Sequence, residues 1–379
     1  MENFVAYNPT KLHFGKDVLN DLGNTVEPYG KKVLLIYGRG SIKRNGIYQK
    51  VISQLKSIQA TVFEYSGIRP NPVIEDVDAA AELGRKHQVD LVLAVGGGSV
   101  IDSAKIISIT IPVQTSGWDF YNGTIKPKTA ISLITVLTLA ATGSEMNPFA
   151  VVQNNSTKEK LGWGNDLLYP RHSFLDPQNT FSVPKDYTAY GIADLMAHCL
   201  EAYFGEGEAP LSDRFVYAIM KEAIIYGPPL LDDLENYSLR ANIMYAATAA
   251  LNKLTMYGRV SGDWGVHSAG HVLSLLYDIP HGASLSIIYP AWLKLQRERI
   301  PERITTLGKN IFGVNNPDDT IKSFESFFHR IDCPISLSAF GIGADKKEDI
   351  MKVMIHNNVT GNHHKLTRED YSRLIDLFI

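Results

Sequence analysis

An α/β domain followed by an all-helical domain is the fold class this sequence predicts, and two observations predict it. Short apolar, β-branched runs alternate with helical stretches through the first half, the pattern of a Rossmann-like parallel sheet with helices on its faces. After SVPKDYTAYG (182–191) apolar residues recur at helical spacing and convincing strands disappear. KKVLLIYG (31–38) is the first strand, and a helix from near Asn45 to Ile58 leads to a second, ATVFEYSG (60–67). A helix beginning near Val73 leads to a third strand, VDLVLAVGGG (89–98), and ISLITVLTL (131–139) is a fourth, ending in the turn-rich AATGSE. From residue 187 helical faces separated by short loops run to Ile379. One boundary near residue 184 therefore separates an α/β domain, 1–184, from an all-helical domain, 185–379, with no internal repeat or low-complexity segment.

Composition narrows the function classes. Of 379 residues 45% are hydrophobic and 20% charged, the balance of an ordinary globular protein large enough for two cores. The formal net charge of -3, with no long Lys/Arg tract, leaves no basic field for nucleic acid. No basic segment followed by an apolar run opens the chain, and no stretch reaches the about 18 apolar residues of a membrane span, so a cytoplasmic setting without membrane attachment is expected. Two cysteines, Cys199 and Cys333, exclude a disulfide framework and read as plain thiols.

Three turns carry nucleotide-binding chemistry. VDLVLAVGGGSVIDSAK places glycines and a serine where a strand gives way to a helix, whose unpaired N–H groups and partial positive charge suit a pyrophosphate. The usual dinucleotide fingerprint is absent, because Ile101 fills its last glycine place. The candidate ribose-reading turn, YGRGSIKR (37–44), precedes the glycine run and holds no carboxylate. Gly38, Arg39 and Ser41 are placed to wrap a 2′-phosphate with Lys43 or Arg44 nearby, which favours NADP(H) over NAD(H). A turn whose basic residues are merely solvated is the alternative. In TLAATGSE, Thr138 and Thr142 offer hydroxyls at a third turn on the same sheet edge, although such residues commonly bond only their own backbone.

GIADLMAHCLEAYF (191–204) sets Asp194 and His198 four positions apart, which on a helix leaves them about 40° apart on one face. WGVHSAGHVLSLLYDIPHGAS (264–284) adds His267 and His271 at the same spacing, and His281 at a loop-to-helix turn. One carboxylate with two or three imidazoles suits Zn²⁺ or Fe²⁺ better than Ca²⁺ or Mg²⁺. Spacing does not choose among the three histidines.

GGGSVID, TLAATGSEMNP, GIADLMAHCLE and HSAGHVLSLLYDIPHGASLSI, in this order, closely resemble the iron-containing (group III) alcohol dehydrogenases, particularly their NADPH-dependent butanol dehydrogenase and aldehyde reductase branch. The resemblance covers essentially the whole chain and implies an architecture shared with dehydroquinate synthase. It makes Asp194, His198, His267 and His281 ligands of one divalent metal, Fe²⁺ or Zn²⁺, and casts His271 as a group near nicotinamide and substrate that relays a proton. It matches Gly97, Gly98 and Ser99 to the pyrophosphate turn, Asn71, Thr138, Thr142, Asn147 and Lys160 to the nucleotide cleft, and Asp102 to support of that turn. NAD-using members tend to carry an aspartate within residues 38–41, where this chain has GRGS.

The implied activity is hydride transfer between NADP(H) and a small aldehyde or primary alcohol such as butanol, by a homodimer joined through amino-terminal strands. Trp163, Phe149, Leu254, Tyr257 and Leu275 are the apolar pocket candidates. Two alternatives stand beside this expectation. An NAD-dependent diol or glycerol dehydrogenase is opposed by the missing carboxylate, and a dehydroquinate synthase-like lyase by the apolar stretches flanking the metal residues.

Overall fold

The structure, a computed structural model, describes residues 1–379. Contacts divide the chain into two units. Tyr7–Val183 and Leu234–Met244 form the first, and Met1–Ala6, Pro184–Asp233 and Tyr245–Ile379 the second. Residues 1–6 and 234–244 thus group opposite to a single cut near residue 184.

The first unit is built on a six-stranded parallel sheet of β1 (Lys11–Phe14), β2 (Lys32–Tyr37), β3 (Thr61–Ser66), β4 (Leu91–Gly96), β5 (Ser132–Leu137) and β8 (His172–Leu175), in the order β1-β8-β5-β4-β2-β3. β6 (Phe149–Asn154) and β7 (Glu159–Gly164) form a separate antiparallel pair. β2 is buried from Val33 onward and β4 throughout, as central parallel strands covered on both faces must be. β3, at the edge, has no fully buried residue: Val62, Phe63 and Tyr65 are half-buried and Thr61, Glu64 and Ser66 are exposed. Helices α1 (Leu22–Val26), α2 (Ser41–Arg44), α3 (Ile47–Ser57), α4 (Ile74–His87), α5 (Gly98–Thr110) and α6 (Trp118–Tyr121) complete the unit. Leu34, Val92 and Leu133 face one apolar cluster with Val77 of α4 and Ile107 of α5; Val33, Leu93 and Ile134 face another with Val51 and Leu55 of α3.

Strand order decides where a ligand can sit. From β2 the chain pairs first with β3 on one side and then with β4 on the other, so the carboxyl ends of β2 and β4 flank a topological switch point. GRGS leaves β2 and GGGS leaves β4 at that point.

The second unit is helical: α7 (Lys185–Tyr203), α8 (Pro210–Asp232), α9 (Tyr237–Ala250, its residues to Met244 grouping with the first unit), α10 (Gly265–Tyr277), α11 (His281–Gln296), α12 (Pro301–Ile311), α13 (Pro317–Arg330), α14 (Lys347–His356) and α15 (Arg368–Phe378). α7 follows Pro184, carries Asp186 in its first turn, and is buried almost all round, the property of a central helix. It packs against α8, α10 and α11. No helix is long and apolar enough to cross a membrane, and both cysteines are buried and free.

Candidate active site

Three helices of the second unit bring one carboxylate and three imidazoles together. Asp194 Oδ1 lies 3.5 Å from His198 Nε2, 3.7 Å from His281 Nε2 and 3.8 Å from His267 Nε2. Ligands held at about 2.1 Å around a tetrahedral ion sit about 3.4 Å apart, so these separations fit a shared cation. The donor atoms of Asp194, His267 and His281 lie within 4.8 Å of one another; His198 adjoins through its approach to Asp194 and its ring, stacked 4.9 Å from that of His267. Asp194, His198 and His267 are 2%, 4% and 7% exposed, while the His281 side chain is 25% exposed and marks the accessible side.

The donor set itself calls for a cation. Asp194 Oδ1 and His267 Nε2 are buried and make no hydrogen bond. Burial opposes charge on Asp194, yet His198, His267 and His281 outweigh it and hold its carboxyl well below the usual range. Burial likewise opposes charge on His267, but Asp194 and Glu201 raise it to about 9; at 3.8 Å the Asp194 contact is too long for a hydrogen bond and acts as coulombic attraction. His198, desolvated and beside His267, falls to about 4 despite Asp194. Without a cation, a proton on His267 balances part of the charge of the buried Asp194 and Glu201 carboxylates; a cation where the four donors converge would take over that balance.

Glu201, which sequence reasoning did not single out, organises this centre. It lies seven residues after Asp194 and three after His198 on α7. Its Oε1 accepts from His267 Nδ1 at 2.8 Å and from the His267 backbone N–H at 3.0 Å, and its Oε2 accepts from the Trp264 N–H at 2.5 Å. With the Nδ1 proton held by Glu201, a cation that displaces the Nε2 proton would find the Nε2 lone pair already aimed toward Asp194, the arrangement by which carboxylates orient metal-ligating histidines. The same carboxylate holds the amino end of α10, where Trp264 adopts a left-handed φ of 64° that is costly for a bulky residue. Glu201→Gln is expected to weaken metal affinity about 10- to 100-fold, read by chelator competition, with the melting temperature of the metal-loaded protein little changed.

His281 reaches the site through a glycine. A Cβ on Gly282 would lie 2.0 Å from the Tyr190 carbonyl oxygen of α7, so only glycine lets the start of α11 come this close. His271, one turn beyond His267 on α10, has its ring 5.6 Å from that of His281 and is not among the donors gathered within 4.8 Å.

The nucleotide candidates gather at the sheet's carboxyl edge in the first unit. Register pairs Tyr37 with Val95 and Gly96 with Leu137, so the turns after β2, β4 and β5 stand side by side. Gly97 caps α5, and a Cβ on Gly98 would lie 2.4 Å from Thr142 Cγ2, which shows how closely the second and third turns meet. Ser99 Oγ donates to the Pro70 carbonyl. Thr138 donates its N–H to Gly96 O, and Thr142 Oγ1 accepts from Ser144 N. Lys160 Nζ donates to Asn71 Oδ1 at 2.7 Å, so these two buried residues, 89 positions apart in sequence, form one pair. Asp102 accepts from Ser144 Oγ at 2.5 Å and from Val151 N at 2.9 Å, a geometry that supports the turn.

Several of the expected residues have contacts of their own. Asn147 is buried, its amide engaged with Gly143 O, Phe149 N and the Lys105 ammonium, so it builds the turn. Lys43 lies over the rings of Tyr37 and Tyr48 and 3.9 Å from Glu64, which commits its charge away from the GRGS turn; Gly38 is half-buried and Arg39 and Ser41 are exposed. Among the apolar pocket candidates, Tyr257 stacks on Phe4 at 5.1 Å and Trp163 packs on Phe120 and Tyr121.

Known proteins place the chain in a family. The family model for iron-containing alcohol dehydrogenase matches residues 9–177, and that for the C-terminal part of the Fe-containing alcohol dehydrogenase family matches residues 188–377. The chain belongs to the iron-containing alcohol dehydrogenase family. It is 43% identical to the "Probable NADH-dependent butanol dehydrogenase 2" of Bacillus subtilis, over 98% of both chains. It is 34% identical to the "NADPH-dependent aldehyde reductase YqhD" of Escherichia coli, over 99% of both. The crystal structure of NADH-dependent butanol dehydrogenase A from Thermotoga maritima superposes with a TM-score of 0.96 at 37% identity, covering 100% of this chain and 99% of that one. Membership implies a nicotinamide cofactor and a divalent metal, and it leaves the lyase alternative without support.

Proposed function

We propose that this chain is a metal-dependent reductase of small aldehydes, running in reverse as a dehydrogenase of primary alcohols such as butanol, with NADP(H) as its nicotinamide cofactor. The convergence of Asp194, His198, His267 and His281 on one point carries the catalytic part of this reading. A divalent cation there supplies Lewis acidity toward a carbonyl or hydroxyl oxygen, and the nicotinamide supplies or accepts the hydride. The α5 amino end at Gly97, Gly98 and Ser99 would receive the pyrophosphate, with the turns at Gly38 to Ser41 and Thr138 to Thr142 beside it. Burial of Asp194 and His198 keeps water from the carboxylate, and the 5.6 Å between the His271 and His281 rings supports His271 as the group that would pass the proton that alcohol formation requires.

The cofactor is the finer part of the proposal. An exposed Arg39 and no carboxylate between Tyr37 and Arg44 support NADP(H). Relatives named as NADH-dependent butanol dehydrogenases, at 43%, 40% and 38% identity, support NADH as the second reading. A cytoplasmic homodimer acting on small molecules, with no nucleic-acid or membrane partner, completes the proposal. Metal-loaded protein mixed with butanal is expected to oxidise NADPH faster than NADH, followed by the absorbance of the reduced nicotinamide. No oxidation of either nucleotide with any short aldehyde would overturn the activity.

A further inference from the structure

We infer that Lys105 is a positioning residue for the nucleotide: its buried ammonium ties α5 to the turn at 142–149 and so fixes the spacing between the two glycine-containing turns that would receive the cofactor. This rests on the nucleotide reading of those turns given above.

Lys105 is 0% exposed, so it cannot touch a ligand itself. Its Nζ has three protons and meets three acceptors, Ser144 Oγ at 2.8 Å, Asn147 Oδ1 at 3.0 Å and Phe149 O at 2.7 Å. Each bond leads further into the turn. Ser144 Oγ donates a hydrogen bond to Asp102 Oδ1, one helical turn before Lys105, and Asp102 Oδ2 accepts one from the Val151 N–H. Asn147, held by Lys105 through its oxygen, spends its Nδ2 on Gly143 O. Ser144 N in turn bonds Thr142 Oγ1, and Thr142 is the residue that leaves no room for a Cβ on Gly98. Lys105 and Gly98 belong to the same helix, so the network closes a loop from the start of α5, down its side, across the turn and back to the start.

A methionine-like side chain would fill the same volume without desolvating a charge, so what the ammonium adds is the fixed geometry of three acceptors. Burial pulls Lys105 down to about 8, while Asp102 and Glu145 oppose the fall, and the group stays largely charged at neutral pH. Loss of that charge would free the 142–149 turn relative to α5, and the pyrophosphate end of the cofactor would meet a looser edge.

The test is nucleotide binding to the metal-loaded full chain, by calorimetry with NADPH and with NADH. Lys105→Met removes all three charge-assisted hydrogen bonds and is expected to raise the Kd of the preferred nucleotide by about tenfold or more. Metal content should stay at the unsubstituted value, and the KM for aldehyde at saturating nucleotide should stay within about twofold. A lowered melting temperature with an unchanged nucleotide Kd would overturn the inference and leave Lys105 a stability residue. Should Lys105→Met fail to fold, Ser144→Ala decides, since it removes one of the three Lys105 bonds together with the Ser144–Asp102 bond and leaves the Lys105 bonds to Asn147 and Phe149. A rise of about threefold in Kd sustains the inference, and no rise overturns it. Failure of the unsubstituted chain to bind either nucleotide would overturn the proposed function and this inference with it.

Discussion

Replacing His267 by Ala is expected to leave the purified protein without its divalent metal and to lower kcat/KM for aldehyde reduction by at least about 10³-fold, because Lewis-acid stabilisation supplies several kcal/mol and each 1.36 kcal/mol is tenfold. His267 faces Asp194 with Nε2 and is oriented from behind by Glu201, so its loss removes a donor and also leaves the Glu201 carboxylate buried without its imidazole partner. His281→Ala is expected to act the same way on metal content. His271→Ala separates the roles: elemental analysis should find the metal retained, with turnover slowed about 10²-fold by loss of a proton relay. Metal loss in His271→Ala, or metal retention in His267→Ala, would reverse the assignment.

That division shows where sequence reading reaches and where it stops. Asp194 and His198 are legible because four residues is one helical turn, and α7 is a helix through both. The same rule makes His267 and His271 look like the second pair, since both lie on α10. What selects His281 is tertiary: Gly282 lets α11 close on the Tyr190 carbonyl of α7, and no local spacing encodes that approach. Glu201 carries a signal that was available, the continuation of the Asp194 and His198 face at i+7, but a glutamate on a helix ordinarily reads as a solvated position. Lys105 was hidden for the same reason, and only its burial in α5 distinguishes it.

The fold divides along similar lines. β2, β4 and β5 are legible because strands covered on both faces become largely apolar runs, whereas β3 mixes half-buried Val62, Phe63 and Tyr65 with exposed Thr61, Glu64 and Ser66, as an edge strand does. β1 and β8 are four residues each, KLHF and HSFL, too short and too polar to stand out; they pair with each other across 161 residues. The β6–β7 pair hides in the polar stretch VVQNNSTKEKLG, where only the pairing reveals the strands. Residues 1–6 and 234–244 depart from a single cut because membership in a unit follows packing, to which local periodicity is blind.

Gly38→Asp is expected to shift the ratio of kcat/KM with NADPH to that with NADH by at least about 10²-fold toward NADH, because a carboxylate at this turn repels a 2′-phosphate and accepts from a 2′-hydroxyl. Sterics permit the change: a Cβ on Gly38 would lie 3.5 Å from Ile68 O and 4.0 Å from Val100 Cγ2, and its φ lies outside the left-handed region. Arg39→Ala should raise the KM for NADPH about tenfold and leave that for NADH nearly unchanged, since Arg39 is exposed at the same turn while Lys43 is occupied by Glu64 and two tyrosine rings. An exposed arginine acts through solvent, so raising ionic strength should weaken NADPH binding more than NADH binding in the unsubstituted protein and equalise the two in Arg39→Ala. Relatives named for NADH pull the expectation the other way. NADH preference in the unsubstituted chain, with no salt-sensitive difference between the nucleotides, would show that Arg39 is only a solvated turn residue and that the missing carboxylate does not select NADP(H).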